Sequence, residues 1–260
     1  MSALLIYFWS LLAGLTPPNP SFSAMGTPPV SAEQSRCRLV RIEHPRVRRY
    51  EVAYEKNGVK SVTFQKWDYD RNAYQTVDIG RYVYLQDGRL DRIDLYEVKN
   101  GKETLSHTIW KMDYVQQKAL VVQKTDAETP AMNMQVFLGA GGEIRKVDAQ
   151  GENGTIELPI FSRLDGRLDS LKVPNDAALR FEYDREANPF QHNYISLFLR
   201  DRGNYSFFMN FTPNNLTGVF SGRGVEDPFV VSYGYDEKGR TTRLSVDEFH
   251  YLLTYEGDCP

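Results

Sequence analysis

The chain has 260 residues, a formal net charge of -3 and 25% charged residues, so it carries no basic excess for nucleic acid and no strong field for an acidic membrane surface. A hydrophobic fraction of 41% suits a protein with a core, and 16 Tyr and 14 Phe against 3 Trp favour strands, where flat rings pack on a pleated surface. This length lies near the upper end for one domain, a size at which all-β barrels and sandwiches fold as single units.

Residues 1–24 differ from all that follows. Ala3 to Leu15 is mostly apolar, and Thr16-Pro17-Pro18-Asn19-Pro20 then leads to the small residues Ser21, Ser23 and Ala24. This is the pattern of a secretory signal peptide, although no Lys or Arg precedes the apolar run, and that run is short for a membrane span. Residues 25–36 read as a flexible leader and 37–260 as a single all-β domain of an extracytoplasmic protein, in the periplasm or at the cell surface. Leu12-Ala13-Gly14-Leu15 has the form of a lipoprotein signal with Leu15 where the acylated cysteine belongs, so a lipid anchor is not supported.

In an exported chain the two cysteines, Cys37 and Cys259, predict a disulfide; the alternative is two unpaired structural thiols. Closing so long a loop would restrict the unfolded chain by about 5 kcal/mol in the loop-entropy description. It would also make the first and last strands neighbours.

From residue 37 onward a Tyr-x-x-x-Gly turn followed by short aliphatic strands recurs, as in Tyr84-Leu-Gln-Asp-Gly88 and Tyr235-Asp-Glu-Lys-Gly239. The turn glycines are Gly58, Gly88, Gly142, Gly166 and Gly239, with Lys118 and Ala187 in the same slot of degenerate copies. Their uneven spacing argues against a solenoid and for an antiparallel meander of hairpins, forming a soluble barrel-like or strongly curved sheet. In Asp236-Glu-Lys-Gly239 an Asp opens a type I bend and Gly takes the left-handed position that closes a bulged loop, and Gln86-Asp-Gly88 and Lys56-Asn-Gly58 offer the same chemistry. After the turn glycine, aliphatics recur at the second and fifth positions in Leu90/Ile93, Ile144/Val147 and Leu168/Leu171; Gly58 and Lys118 do not match that placement and read as weaker copies.

Before the turns, aromatics sit two apart: Tyr82 and Tyr84, Phe181 and Tyr183, Tyr233 and Tyr235. Period-two spacing puts each pair on one sheet face, for core packing or a cross-strand ladder, with a platform for sugar rings as the sharper alternative. The rhythm breaks between Ala187 and Gly239. That interval holds Asn188-Pro189-Phe190, the apolar runs 195–199 and 207–211, and Thr212-Pro213-Asn214-Asn215. It is either an extra strand pair with long loops or a segment that leaves the sheet to form a cap or plug.

The order Tyr183-Asp184, Asn188-Pro189-Phe190, Pro213-Asn214-Asn215, Tyr233-x-Tyr235-Asp236-x-x-Gly239 and Tyr251 to Cys259 resembles a bacterial domain of unknown function described as having a porin-like fold, found in exported and often lipid-anchored proteins. The resemblance covers about residues 37–260. It implies a β-barrel-like fold outside the cytoplasm and carries over no activity. Porin-like does not mean membrane-spanning: along Arg89 to Val98 one face carries Arg89, Asp91 and Glu97 and the other Arg92 and Asp94, and neither suits lipid.

No reactive constellation stands out. His44, His107, His192 and His250 have no metal-ligand spacing to each other or to a cysteine, so no metal or cofactor is expected. Gly139-Ala-Gly141-Gly142 has Ile144 where a dinucleotide loop needs its third glycine and reads as a turn. Asp68-Tyr-Asp70-Arg-Asn72 opens like a calcium loop, yet Ala73 replaces the required glycine and Ile79 the bidentate Glu. With no catalytic residue to name, the reading is a non-enzymatic scaffold or binding module whose partner is a glycan, an apolar small molecule or an envelope protein. Asn188, Pro189 and Phe190 mark the candidate ligand or loop-anchor region. The alternatives are a secreted polysaccharide hydrolase, whose two carboxylates would be hidden among 34 acidic residues, and a cell-surface assembly or adhesion domain.

Overall fold

A computed structural model describes residues 37–56, 58–113, 118–123, 132–138, 144–151, 154–158, 160–162, 167–171, 178–191, 193–198, 209–221, 229–246 and 249–257. The proposed signal peptide and leader, the turn glycines Gly142 and Gly166, the run Gly139 to Gly142, and Cys259 lie outside them. The fold is all-β, an antiparallel meander. In chain order the strands are β1 (Arg38–His44), β2 (Arg48–Glu55), β3 (Gly58–Asp68), β4 (Ala73–Tyr84), β5 (Leu90–Lys99), β6 (Lys102–Asp113), β7 (Lys118–Gln123), β8 (Met132–Leu138), β9 (Ile144–Gly151), β10 (Gly154–Leu158), β11 (Ile160–Ser162), β12 (Leu168–Leu171), β13 (Leu179–Ala187), β14 (Asn214–Ser221), β15 (Phe229–Tyr235), β16 (Thr241–Val246) and β17 (Phe249–Glu256).

The residues group into two compact units. In the unit built from 109–182 and 218–229, β6 pairs with β7, β7 with β8, β8 with β9 and β9 with β10, while β11 pairs with β12 and β12 with β13. Its buried side chains include Trp110, Met112, Ile144, Val147, Leu168, Leu171 and Phe181. In the unit built from 29–108, 183–217 and 230–260, the order β15, β16, β17, β1, β2, β3, β4, β5 is one run of antiparallel neighbours. There β17 closes onto β1, with Arg38 opposite Glu256 and Ile42 opposite Leu253. The pairing of first and last strands expected from the cysteines is present.

The hairpins share a defect that explains the three-residue spacing of their aliphatics. On a straight strand, residues three apart face opposite sides. Opposite Tyr84 stands Leu90 and opposite Val83 stands Arg92, so Asp91 is an extra, bulged residue. The same slip skips Lys60 after Val59, Arg145 after Ile144, Asp169 after Leu168 and Thr242 after Thr241. A β-bulge turns the next residues over by one position. It thereby brings Val59 and Val62, Leu90 and Ile93, Ile144 and Val147, Leu168 and Leu171, and Thr241 and Leu244 into the buried set together. The Gly58 hairpin is thus a full copy with a turn one residue shorter, contrary to its weak sequence match. Ala187 ends β13 and occupies no turn slot, whereas Lys118 opens β7 as Gly58 opens β3.

The turns at Gly88 and Gly239 are the same. Leu85 N–H donates to Arg89 O at 2.8 Å and Gly88 N–H to Leu85 O at 3.0 Å; Asp236 N–H donates to Arg240 O and Gly239 N–H to Asp236 O, each at 3.0 Å. The φ angles of +84° and +77° at Gly88 and Gly239 are the left-handed conformation that the glycine was expected to supply. Asp236 Oδ1 accepts the N–H groups of Lys238 and Arg240, both at 3.0 Å, which is why an acid opens the turn.

The repeat tyrosines stitch neighbouring strands. Tyr54 Oη donates to Leu39 O at 2.9 Å, Tyr84 Oη to Val59 O at 2.7 Å, Tyr233 Oη to Leu216 O at 2.9 Å and Tyr255 Oη to Thr241 O at 2.8 Å. A half-buried ring with its hydroxyl on a main-chain carbonyl is a structural rivet.

Candidate functional site

Residues 183–217 belong to the unit that contains β1 to β5, and most of the residues described between β13 and β14 turn inward. Phe190 and Ile195 are fully buried, as are Asn210 and, at the start of β14, Asn215 and Leu216; Met209, Phe211 and Thr212 are nearly so. A 3-10 turn, Ile195–Phe198, packs on β3, and Tyr82 Oη from β4 donates to Tyr194 O at 2.9 Å. Burial pushes the Tyr194 phenol up to about 12. Among the described residues of the gap, 188–191, 193–196 and 209–213 pack largely inward within this unit, and Asn214–Ser221 adds the strand β14.

Asn188 organises this inward packing, and its chemistry requires an amide. The side-chain nitrogen donates to Met209 O, to Thr212 O at 2.8 Å and to Thr212 Oγ1 at 3.3 Å, and the side-chain oxygen accepts Phe190 N–H at 2.9 Å. Its own N–H donates to Pro213 O at 3.0 Å and its carbonyl accepts Gln191 N–H at 3.2 Å. Both ends of the side chain are consumed by backbone. Pro189 O accepts Asn193 Nδ2 at 2.5 Å, and Asn193 Oδ1 accepts Ile195 N–H at 3.0 Å. Asn210 Oδ1 accepts the N–H of Tyr194, whose φ is +60°. Through these bonds Asn188 holds the backbone of Phe190, Met209 and Thr212.

At the start of β14, Asn215 Nδ2 lies 3.2 Å from Asp184 Oδ2, 3.1 Å from Tyr235 Oη and 3.4 Å from Thr241 Oγ1, and Tyr235 Oη donates to the same Asp184 oxygen. Burial and the Asp184 bond raise the Tyr235 phenol well above its ordinary value. The tyrosine of one Tyr-Asp unit is latched by the aspartate of another. Tyr233 and Tyr235 stack at 6.5 Å, but Tyr233 is spent on Leu216, so the pair offers no open sugar platform.

Two further polar clusters hold local backbone. Asp68 Oδ1 accepts the N–H groups of Asp70 at 2.9 Å and Arg71 at 3.2 Å, which makes the calcium-like run a side-chain-capped turn. His44 Nδ1 accepts His250 N–H at 3.2 Å, and His250 Nδ1 lies 2.9 Å from Ser245 Oγ with no carboxylate drawn into the pair. Burial, Arg48 and His250 lower the His44 pKa and keep it neutral. Among the described residues no group of three or more His, Cys, Asp or Glu could hold a metal ion.

One constellation had no sequence signal. The β1–β2 turn, His44-Pro45-Arg46-Val47, is closed by Val47 N–H to His44 O at 3.1 Å, with Arg46 at φ +57°. Proline followed by a left-handed residue is a type II turn, whose third position favours Gly or Asn. Arg46 is held there by the β3–β4 hairpin: its N–H donates to Tyr74 Oη at 2.9 Å and its carbonyl accepts Tyr69 Oη at 3.1 Å. Trp67 N–H donates to Val47 O at 2.9 Å, and Trp67 packs edge-on against Tyr74 at 4.9 Å. The Tyr69 ring is 76% exposed.

No family model matches the chain, and no curated protein matches it. Among solved structures it is similar to a porin-like protein from Bacteroides uniformis, at 12% sequence identity and a TM-score of 0.38, over 85% of this chain and 96% of that one.

Proposed function

We propose that this chain is an extracytoplasmic β-scaffold that binds a glycan or an envelope protein through its surface loops and performs no chemistry of its own. The observation that carries this reading is the Asn188 anchor: in the segment that breaks the repeat, both ends of this side chain are spent on holding backbone of the same unit. The burial of Phe190, Ile195, Phe211 and Leu216 also leaves an apolar small molecule as the weakest of the three partner classes.

The signal-like residues 1–24 support export, and the facing of Arg38 and Glu256 supports a Cys37–Cys259 disulfide at the same end of the β1–β17 ladder. A membrane-spanning role is disfavoured by the row that β1 and β2 turn away from the core. There Arg41 pairs with Glu51 at 3.4 Å and Arg49 with Glu43 at 3.1 Å and Glu51 at 3.5 Å, whereas a lipid-facing barrel wall needs an apolar band. Burial pushes the Glu43 carboxyl up, and hydrogen bonds from Arg49 and Tyr74 outweigh that and hold it charged.

The test is a panel of polysaccharides assayed with purified protein for both retention and release of reducing ends. Retention without turnover is expected. Turnover that disappears on replacing a single Asp or Glu would make the chain a hydrolase.

A further inference from the structure

We propose that the Arg46–Tyr69 tip is a binding site for an acidic polysaccharide, in which the Tyr69 ring stacks on a sugar face while the Arg46 and Arg71 guanidiniums take a carboxylate or sulfate of the polymer. This rests on the binding-module reading and names the polymer class.

Three observations meet at the tip. Arg46 occupies the left-handed position of a type II turn, which costs a Cβ-bearing residue on the order of 1 kcal/mol and which Gly would fill without strain. Backbone strain of this sort gathers at ligand sites, where the surrounding structure over-determines it. Here the surroundings are two tyrosine hydroxyls from another hairpin, gripping the N–H and the carbonyl of Arg46. The side chain obtained at that cost is unspent: the Arg46 guanidinium reaches no carboxylate among the described residues, and the residue is exposed.

Tyr69 is built the opposite way from the other tyrosines. Its hydroxyl is fixed on Arg46 O, yet the ring is the most exposed large apolar group of the described chain. A rigid exposed ring stacks on a pyranose face at little entropic cost. Arg71, whose side chain is 74% exposed, has its nearest carboxylate, Asp68, at 3.9 Å. Asp68 itself is engaged by the turn and by Gln75, and Asp70 is the exposed acid of the same turn. An exposed ring whose hydroxyl is fixed on the backbone of one exposed arginine, with a second two residues along the chain, matches a polymer that alternates sugar faces with anionic groups.

The test is affinity electrophoresis of the purified protein in gels containing polygalacturonate, heparin or dextran. Polygalacturonate or heparin should retard the protein, dextran should not, and added salt should weaken the retardation. Arg46→Gly should weaken binding about tenfold, the scale of one lost charge-assisted contact, while leaving the thermal midpoint unchanged or higher because the turn strain is relieved. Tyr69→Ala should also weaken binding, and Lys56→Gln, an exposed cation at the opposite end of β2, should not. The proposal is overturned if neither acidic polymer retards the protein, or if retardation survives Arg46→Gly. Retention on a neutral polymer that ignores Arg46 and Tyr69 would overturn the tip site and leave the binding module standing.

Discussion

Replacing Asn188 with Ala should be among the most damaging single changes in this chain. The variant deprives Phe190 N–H and the carbonyls of Met209 and Thr212 of their partner, in a place that water does not reach. Leaving buried main-chain groups unmet costs about 1–3 kcal/mol each, and some relaxation is expected, so the loss should be about 3–5 kcal/mol. Equilibrium urea denaturation followed by tyrosine and tryptophan fluorescence measures it as a fall in midpoint at constant slope. Asn188→Asp adds a signature that size alone cannot mimic. Its carboxylate would face two carbonyl oxygens, raising its folded pKa above the unfolded value of about 3.9. Between those two values the folded state binds the extra proton, so the stability of this variant should fall as pH rises and recover in mild acid. A loss below 1 kcal/mol for Asn188→Ala, or an Asp variant no more sensitive to pH than wild type, would refute the anchor argument.

Gly58→Ala and Gly88→Ala separate two costs of a turn glycine. Both have positive φ, but a Cβ at Gly58 would lie 2.9 Å from Tyr84 Oη whereas nothing lies within 4 Å at Gly88, so Gly58→Ala should lose clearly more than the roughly 1 kcal/mol expected at Gly88. Burial lifts Tyr54 and Tyr194 to about 12. Their unfolded phenols titrate near 10, so stability is intact below pH 10 and lost as pH rises from 10 through 12; absorbance titration should show two fewer late phenolates in the double Phe variant. Intact mass before and after reduction and alkylation should reveal one Cys37–Cys259 bond in exported protein, and reduction should lower the thermal midpoint; two thiols alkylated without reductant would sink the disulfide.

Much of the fold was legible because its signals are local. Gly88 and Gly239 announce their turns through a backbone conformation that other residues resist, and Asp236 through a cap it supplies itself. The alternating Tyr82 and Tyr84 read as strand for the same reason. The Asn100-Gly101 turn between β5 and β6, with φ of +53° and +73°, carried an equally local signal that the Tyr-x-x-x-Gly template passed over. The bulges were visible only as an anomaly. Leu90 and Ile93 are three apart, and period-two logic sent them to opposite faces because the extra residue at Asp91 is defined by its partner strand.

The candidate site divides along the same line. Asn188 stood out as part of the break in rhythm, but whether it gripped a ligand or its own backbone depended on Met209 and Thr212, more than twenty residues away. Arg46 gave no warning at all. Nothing in His44-Pro45-Arg46-Val47 marks a left-handed arginine, since Tyr69 and Tyr74 of another hairpin enforce it.

The seam between β1 and β17 bears on how the molecule comes into being. Arg38 and Glu256 lie on adjacent strands but far apart in sequence, so β1 has no partner on that side until β17 has been made. Contacts of such long range form slowly, because the loop between them must first be ordered. Until β17 is in place, the edge of β1 is therefore exposed to strand addition by other chains, the hazard that folding chaperones exist to contain. Arg38, Arg41, Glu43 and the β1–β2 charge pairs lie along this strand, where charge discourages a stray partner until β17 arrives.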